Sequence, residues 1–328
     1  MIDKWKMAVV HLECATDSVD FNERIRQIDD LHKSLEESKI SQKEFTEKIS
    51  SCSRDIRYQG TAIFLKNEGK HYLLTARHVL WDELSATREL NEGIRRTQTD
   101  SRAHQYFIES SKQIALDKIF SIIFRVPSLN EIIGGKKVKA FLMNLGAGVP
   151  YLTPYTFSDQ NIDLAIISLD QRNNEFTKEL LESGYEPISL ADISDEPTNE
   201  GSDLMAVGFP SATSLIGQQK LHPAHIQWAS NYFSLPVLSF GRVSLLHKDL
   251  NFFWADMSIY PGNSGGPVIE NDKLVGIVSA QAIIPIENND EIELSARIPF
   301  GKIIKAKYIR ELLVTQINKD LQFNNFNC

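Results

Sequence analysis

Ser264 stands in the run Pro261-Gly262-Asn263-Ser264-Gly265-Gly266-Pro267. So much glycine and proline rules out helix interior and central strand. The run reads as a tight loop whose shape is set by the backbone, of the kind used where main-chain N–H groups must point at something. A serine hydroxyl is a weak nucleophile near neutral pH. It needs a base within hydrogen-bond reach, and the base needs a carboxylate to fix its tautomer and stabilise the imidazolium. His78 follows an apolar run in LLTARHVLW, residues 73–81, and Asp163 opens the apolar run of NIDLAIISL, residues 161–169. In the order His, Asp, Ser the three side chains have the chemistry for acyl transfer. Each has a plainer role when taken alone: Ser264 as a turn residue, His78 as a core histidine, Asp163 as a cap at a strand start.

The elements that must position them are short and β-rich. Segment 6–14, KMAVVHLEC, reads as a strand. From Gly60 onward GTAIFL, HYLLT, KIFSIIFRV, KKVKAFLMN and IDLAIISL are apolar runs separated by turn residues. With the first strand they are enough to close a small barrel. A second set follows: DLMAVGF, IQWAS, LSFGRVSLL, FFWADM, GPVIE, KLVGIVSA and IELSARIP. Two insertions interrupt the first set. Between 18 and 52, Phe21, Ile25, Ile28, Leu31 and Leu35 fall on one helical face, with Asp20/Glu23 and Ser41/Glu44 as capping boxes. This predicts a helical hairpin whose apolar stripe packs on the barrel. The mixed-charge segment 82–117 also reads as helical.

The predicted fold is therefore an all-β core of two six-stranded antiparallel β-barrels, with helical insertions and a C-terminal helix. The N-terminal lobe covers 1–170 and carries His78 and Asp163. The polar, acidic stretch 171–200 reads as a linker. The C-terminal lobe covers 201–300 and carries Ser264, and 301–328 holds the helix, expected over 302–318, and the tail.

Composition bounds the function. A chain of 328 residues with a net charge of −8 and no basic stripe with interleaved aromatics speaks against nucleic-acid binding. No run approaches the length of a membrane span, and the N-terminus has no secretory pattern. Cys14, Cys52 and Cys328 are odd in number and scattered, which implies no disulfide framework. The expectation is a cytoplasmic protein with no membrane partner. His222 and His225 flank a proline in LHPAH and read as a surface loop, not a metal pair.

The motifs around Ser264, His78 and Asp163 resemble those of chymotrypsin-fold (trypsin-like) serine peptidases, in particular the bacterial HtrA/Deg branch. PGNSGGP and Thr75-Ala76-Arg77-His78-Val79 carry the resemblance, and Asp163-Leu164-Ala165 gains weight from its place late in the first lobe. VGFP at 207–210, GRVS at 241–244 and GIVSAQ at 276–281 are similar to further family segments. The resemblance implies a serine endopeptidase acting on protein or peptide substrates without metal or organic cofactor. His78, Asp163 and Ser264 are its triad. The backbone N–H groups of Gly262 and Ser264 are its oxyanion hole. Ser258 is the floor of its substrate pocket, with Ser279, Ala280 and Gln281 along the walls, and Ser279 sits near the triad carboxylate. No acidic group at Ser258 implies uncharged, small or medium residues before the scissile bond, with Asp256 the one residue able to upset this. A PDZ-like module after Ser264 and an Ile-Val-Gly-Gly start are not expected. The two charged insertions suggest a regulatory protein partner that shifts a poorly formed oxyanion hole, through a flip at the Gly262–Asn263 peptide, to a formed one. A catalytically silent, peptide-binding module on the same scaffold is the alternative.

Overall fold

The computed structural model describes all residues except 1, 17–20, 52–55, 135–141, 146–152, 171–173, 220–228, 290–291 and 327–328. The N-terminal lobe contains β1 (Val9–Thr16), β2 (Ile56–Asn67), β3 (Lys70–Ala76), β4 (Ile122–Arg125), β5 (Leu142–Asn144), β6 (Tyr155–Phe157), β7 (Leu164–Ser168) and β8 (Ile188–Ser189). Its order is β5-β4-β1-β2-β3-β7-β6, with β8 joining β2 in parallel. The C-terminal lobe contains β9 (Asp203–Gly208), β10 (Leu215–Gln218), β11 (Tyr232–Ser234), β12 (Val237–Leu245), β13 (Phe252–Met257), β14 (Pro267–Glu270), β15 (Lys273–Asn289) and β16 (Ile292–Lys305). Six of these close an antiparallel barrel in the order β12-β13-β16-β15-β14-β9.

The second barrel has the expected six strands. The first lobe is instead a curled sheet whose ladder, among the described residues, does not close between β5 and β6. Both edge strands are only three residues long, too short to carry a continuous ladder across the gap.

The apolar runs read from the sequence are buried on both faces. Val10, Ala62, Phe64, Leu73 and Ile167 face the core of their own lobe. Their neighbours Val9, Ile63, Leu74 and Ile166 join Val207, Ile269, Ile277 and Ile304 of the barrel in a second core. Side chains alternate across a strand, so a strand buried on both sides reads as an unbroken apolar run. This shared core ties the two lobes together.

Several boundaries differ from the sequence reading. Residues 2–7 form a short helix before β1, where a strand from residue 6 was expected. Its Trp5 is fully buried and donates from Nε1 to Asp272 Oδ1 of the barrel at 2.8 Å. Six residues are too few to show a period. The segment 171–200 is not a bare linker: helix Asn174–Glu182 puts Phe176 and Leu180 into the N-terminal core. Residues 302–305 belong to β16, and the C-terminal helix runs Tyr308–Phe326. The pair Ile303-Ile304 fits a helical face, but closing the barrel against Phe252 and Phe253 holds it in a strand. The helix crosses back to the N-terminal lobe, where Gln316 Oε1 accepts from Thr156 at 2.7 Å and Asp320 from Ser168 at 2.8 Å.

The insertion 18–52 contains helices Phe21–Glu36 and Gln42–Ser51. The Ser41–Glu44 capping box forms, with Ser41 N donating to Glu44 Oε2 at 2.8 Å. The Asp20 cap lies outside the described residues. Ile28, Leu31 and Leu35 are half-buried and belong to none of the core clusters. The two helices pack on each other, and among the described residues this part of the stripe joins the hairpin and not a core of the barrel. The insertion 82–117 is helical, beginning with Glu83–Thr97 and ending with Lys112–Leu116. Cys14 is buried, and burial followed by the Glu13 charge pushes its thiol up, which leaves it unreactive. Cys52, Cys328, His222 and His225 lie outside the described residues.

Candidate active site

Strand pairing brings base and acid together. β3 and β7 are antiparallel neighbours with Ala76 opposite Leu164. The residues just after β3 and just before β7 therefore meet at one end of the sheet. His78 sits there in the short helix Arg77–Leu80. Asp163 ends a tight turn in which Asp159 Oδ1 accepts from Asn161 N at 2.8 Å. Its own φ of 55° is left-handed, a region that aspartate tolerates better than most residues. This conformation lets its carbonyl accept from Arg77 N at 3.1 Å while its carboxylate faces His78.

The carboxylate is held from three sides. His78 Nδ1 lies 2.9 Å from Asp163 Oδ2 and 3.1 Å from Oδ1. His78 N donates to Oδ1 at 3.1 Å, and Ser279 Oγ donates to Oδ2 at 2.5 Å. Burial works to raise the Asp163 carboxyl. The hydrogen bond and charge of His78, then Ser279, then the His78 N–H outweigh it, so the group lies below the ordinary carboxylate range. An ionised Asp163 keeps a proton on Nδ1, which leaves Nε2 as the free acceptor.

Ser264 comes from the other lobe, on the loop between β13 and β14. Its Oγ donates to Ser279 O at 3.4 Å. Among the described residues no hydrogen bond joins it to His78. Ser279 thus touches both halves of the site, its hydroxyl on Asp163 and its carbonyl on Ser264.

The loop is fixed by backbone contacts. Gly262 has φ of 100° and Gly265 has φ of 85°. A Cβ on Gly262 would strike Phe209 O and Ser211 N, and one on Gly265 would strike Thr61 O. The Gly262 N–H belongs to the Pro261–Gly262 peptide, whose carbonyl accepts from Ser211 N at 2.9 Å. In a trans peptide C=O and N–H point opposite ways, so this N–H is turned away from Ser211. Among the described residues neither Gly262 N nor Ser264 N donates a hydrogen bond. The Gly262–Asn263 peptide is pinned too, because Gly262 O accepts from Thr61 Oγ1 at 2.8 Å. The flip was expected at this peptide, but the Gly262 N–H belongs to the peptide one step earlier.

Two sets of residues at the site were not singled out in the sequence. Thr61 is fully buried in β2. Its hydroxyl donates to Gly262 O and accepts from Phe209 N at 3.0 Å, while its own N–H donates to Ser264 O at 2.9 Å. Arg77 is buried beside His78, pairs with Asp117 Oδ1 at 2.7 Å and lies over the Phe157 ring. Trp81 Nε1 donates to Leu116 O at 2.8 Å and Asp82 N to Lys118 O at 3.0 Å. Both ends of the 82–117 insertion are thereby fastened next to His78. The signal for Arg77 was present inside the histidine motif, but its partner is forty residues away.

The expected pocket residues differ in exposure. Ser258 is exposed, as are Asp256 and Ala280, while Ser279 is buried. Gln281 is half-buried and donates to Ile298 O at 3.0 Å. A cavity of about 450 Å³ lined by Met7, Glu131, Tyr185, Phe209 and Ser234 contains no member of the triad. Among the described residues no three His, Cys, Asp or Glu side chains are grouped to hold a metal, and no helix is long and apolar enough to cross a membrane.

With this geometry in place, comparison with known proteins is decisive at the level of family. The trypsin-like peptidase domain family matches residues 60–277. The chain belongs to that family. The match begins at Gly60, beside Thr61, and takes in His78, Asp163 and Ser264. No curated protein sequence matches the chain. Among solved structures, a human heparin binding protein is similar with a TM-score of 0.43 and 11% identity, over 80% of this chain and 86% of that one.

Proposed function

We propose that the protein is a serine endopeptidase that hydrolyses peptide bonds through an acyl-enzyme. The observation that carries this reading is the arrangement of His78, Asp163, Ser279 and Ser264 beside two unused backbone N–H groups. Ser264 Oγ attacks the scissile carbonyl carbon as its proton passes to His78 Nε2. The carbonyl π electrons move onto oxygen, which is held by the N–H groups of Gly262 and Ser264. The C–N bond then breaks as His78 returns the proton to the amine. Water repeats the sequence and releases the acid. The His78 side chain is 45% exposed, so a substrate reaches it without rearrangement of the core.

Two finer assignments belong to the same reading. Ser258 and the Ser279–Gln281 strand receive the residue before the scissile bond, which is uncharged and small or medium. A regulatory protein acts through the 82–117 insertion. Backbone contacts hold the Ser264 loop, and among the described residues no hydrogen bond joins His78 to Ser264, so a partner that moves the fastened ends of the insertion acts on the base. Apo structures of such sites often show this bond long. The same missing bond is what the silent, peptide-binding reading requires. A fluorophosphonate probe separates the two: covalent labelling of the wild type but not of Ser264→Ala supports the peptidase, and a folded wild type that resists the probe with and without cell lysate refutes it.

A further inference from the structure

β15 changes character along its length. Up to Val278 it is paired on both sides, with β16 on one and the loop–β14 segment on the other. From Ser279 to Asn289 it pairs with β16 alone, and among the described residues no strand takes its other edge. That open edge starts at the nucleophile, because Ser279 O accepts from Ser264 Oγ. It then carries Ile283, Ile284 and Ile286, which are 57%, 48% and 66% exposed. An open strand edge bearing exposed β-branched apolar side chains is a liability that folded proteins avoid unless something pairs with it.

We infer that this edge is an extended subsite for unfolded polypeptide, taking apolar residues well upstream of the scissile bond. The inference rests on the peptidase reading. An extended chain added to a sheet edge gains affinity from main-chain hydrogen bonds and specificity from alternate side chains. Antiparallel pairing is the more stable per residue. β15 runs away from Ser264, so an antiparallel chain runs toward it, and the stretch beside Ile283–Ile286 precedes the bond to be cut. With a rise of about 3.3 Å per residue, that stretch lies about four to seven residues upstream. The open edge is continuous with the Ser264 site, which is why substrate and not a second copy is the occupant.

The test uses the full-length protein and two quenched fluorescent peptides built around a bond that it cleaves in casein. One peptide extends three residues upstream. The other extends nine, with isoleucine or valine four to seven residues upstream. The variant is Ile283→Ser/Ile284→Ser/Ile286→Ser, whose changes are all at exposed positions. The wild type is expected to favour the long peptide by about tenfold or more in kcat/KM, mainly through KM. The variant should lose that preference and cleave the short peptide as the wild type does. Equal handling of both peptides by the wild type overturns the subsite, and so does a variant slowed equally on both. A variant that turns a dimer into a monomer in sedimentation, with its preference intact, makes the arm a contact between copies and also overturns it. If the fluorophosphonate probe fails, the peptidase reading falls by itself. The subsite is then judged by fluorescence anisotropy of the same two peptides: tighter binding of the long one by wild type but not variant supports it, and equal binding refutes it.

Discussion

The two lobes solve the same task in different ways. The C-terminal lobe closes its ladder and holds Ser264 by backbone: left-handed glycines, a carbonyl taken by Ser211 N, and Thr61 reaching across from β2. The N-terminal lobe is a curled sheet that does not close among the described residues, and it holds His78 by side chains: Asp163, and the Arg77–Asp117 clamp at the root of a helical insertion. The backbone-held loop of Ser264 has few ways to move. His78, fastened through side chains, has more, and among the described residues no hydrogen bond joins it to Ser264. The contrast places rigidity on the Ser264 side and adjustability on the His78 side.

The harshest way to break the comparison is to remove its reacting groups. On the proposed function, Ser264→Ala and His78→Ala are each expected to lower kcat by roughly 10⁶-fold, as for residues acting as a unit in a serine peptidase. Asp163→Asn should leave the fold intact and lower kcat by about 10⁴-fold through the wrong imidazole tautomer. Steady-state hydrolysis of an unstructured protein is the measurement. A well-folded Ser264→Ala protein that still cleaves it would remove the mechanism.

Thr61 sharpens the contrast on the nucleophile side. Thr61→Val keeps the shape and deletes the hydroxyl, leaving Gly262 O and Phe209 N without their buried partner. The expected cost is about 1–3 kcal/mol of stability. With one oxyanion donor loosened, kcat should fall by about 10-fold or more with little change in KM, within the roughly 10²–10³-fold loss for a missing donor. Thr61→Ser retains the hydroxyl and should restore kcat. Equal loss in both variants would make Thr61 a packing residue only.

What could be read in advance follows from range. His78, Asp163 and Ser264 sit in local motifs, and the strands that carry them are buried on both faces, so their apolar runs stand out. Thr61 is one hydroxyl in an apolar strand, and its meaning comes from a contact 201 residues away. The same holds for the long β15–β16 arm: KLVGIVSA and IELSARIP were read as separate strands, because Pro285 and the polar residues after it look like a break. Pairing across Ile283–Arg297 to Asn289–Ile292 extends them into one hairpin. The C-terminal helix ran further than expected since its last turns, NKDLQFNNF, have no apolar period.

The clamp on the base side should give a smaller effect. Arg77 is buried, with its guanidinium on Asp117 and over Phe157. Asp117→Asn removes the opposing charge and leaves a buried cation less well paired, for a destabilisation of about 1–3 kcal/mol. If the insertion steadies His78, kcat should drop several-fold while oxyanion-dependent binding of a peptide aldehyde stays near wild type. A Tm shift with unchanged kcat would confine the clamp to stability.

The smallest effect is expected from the other insertion. Residues 18–52 differ from 82–117 in how they are attached. The hairpin's helices pack on each other, Ile28, Leu31 and Leu35 join no core cluster, and its capping box closes within itself. Surface features outside the core contribute within about 0.5 kcal/mol, and shortening a loop adds only a slowly varying entropy gain. Replacing 18–52 with a short Gly/Ser linker should therefore leave the thermal midpoint within about 4 °C of wild type and leave peptide hydrolysis unchanged. Stimulation by a partner acting through 82–117, where it occurs, should survive the replacement along with basal turnover. A large fall in the midpoint would mean that the apolar stripe is packed on the body of the protein after all, and a change in basal kcat would move the adjustable element from 82–117 to this hairpin.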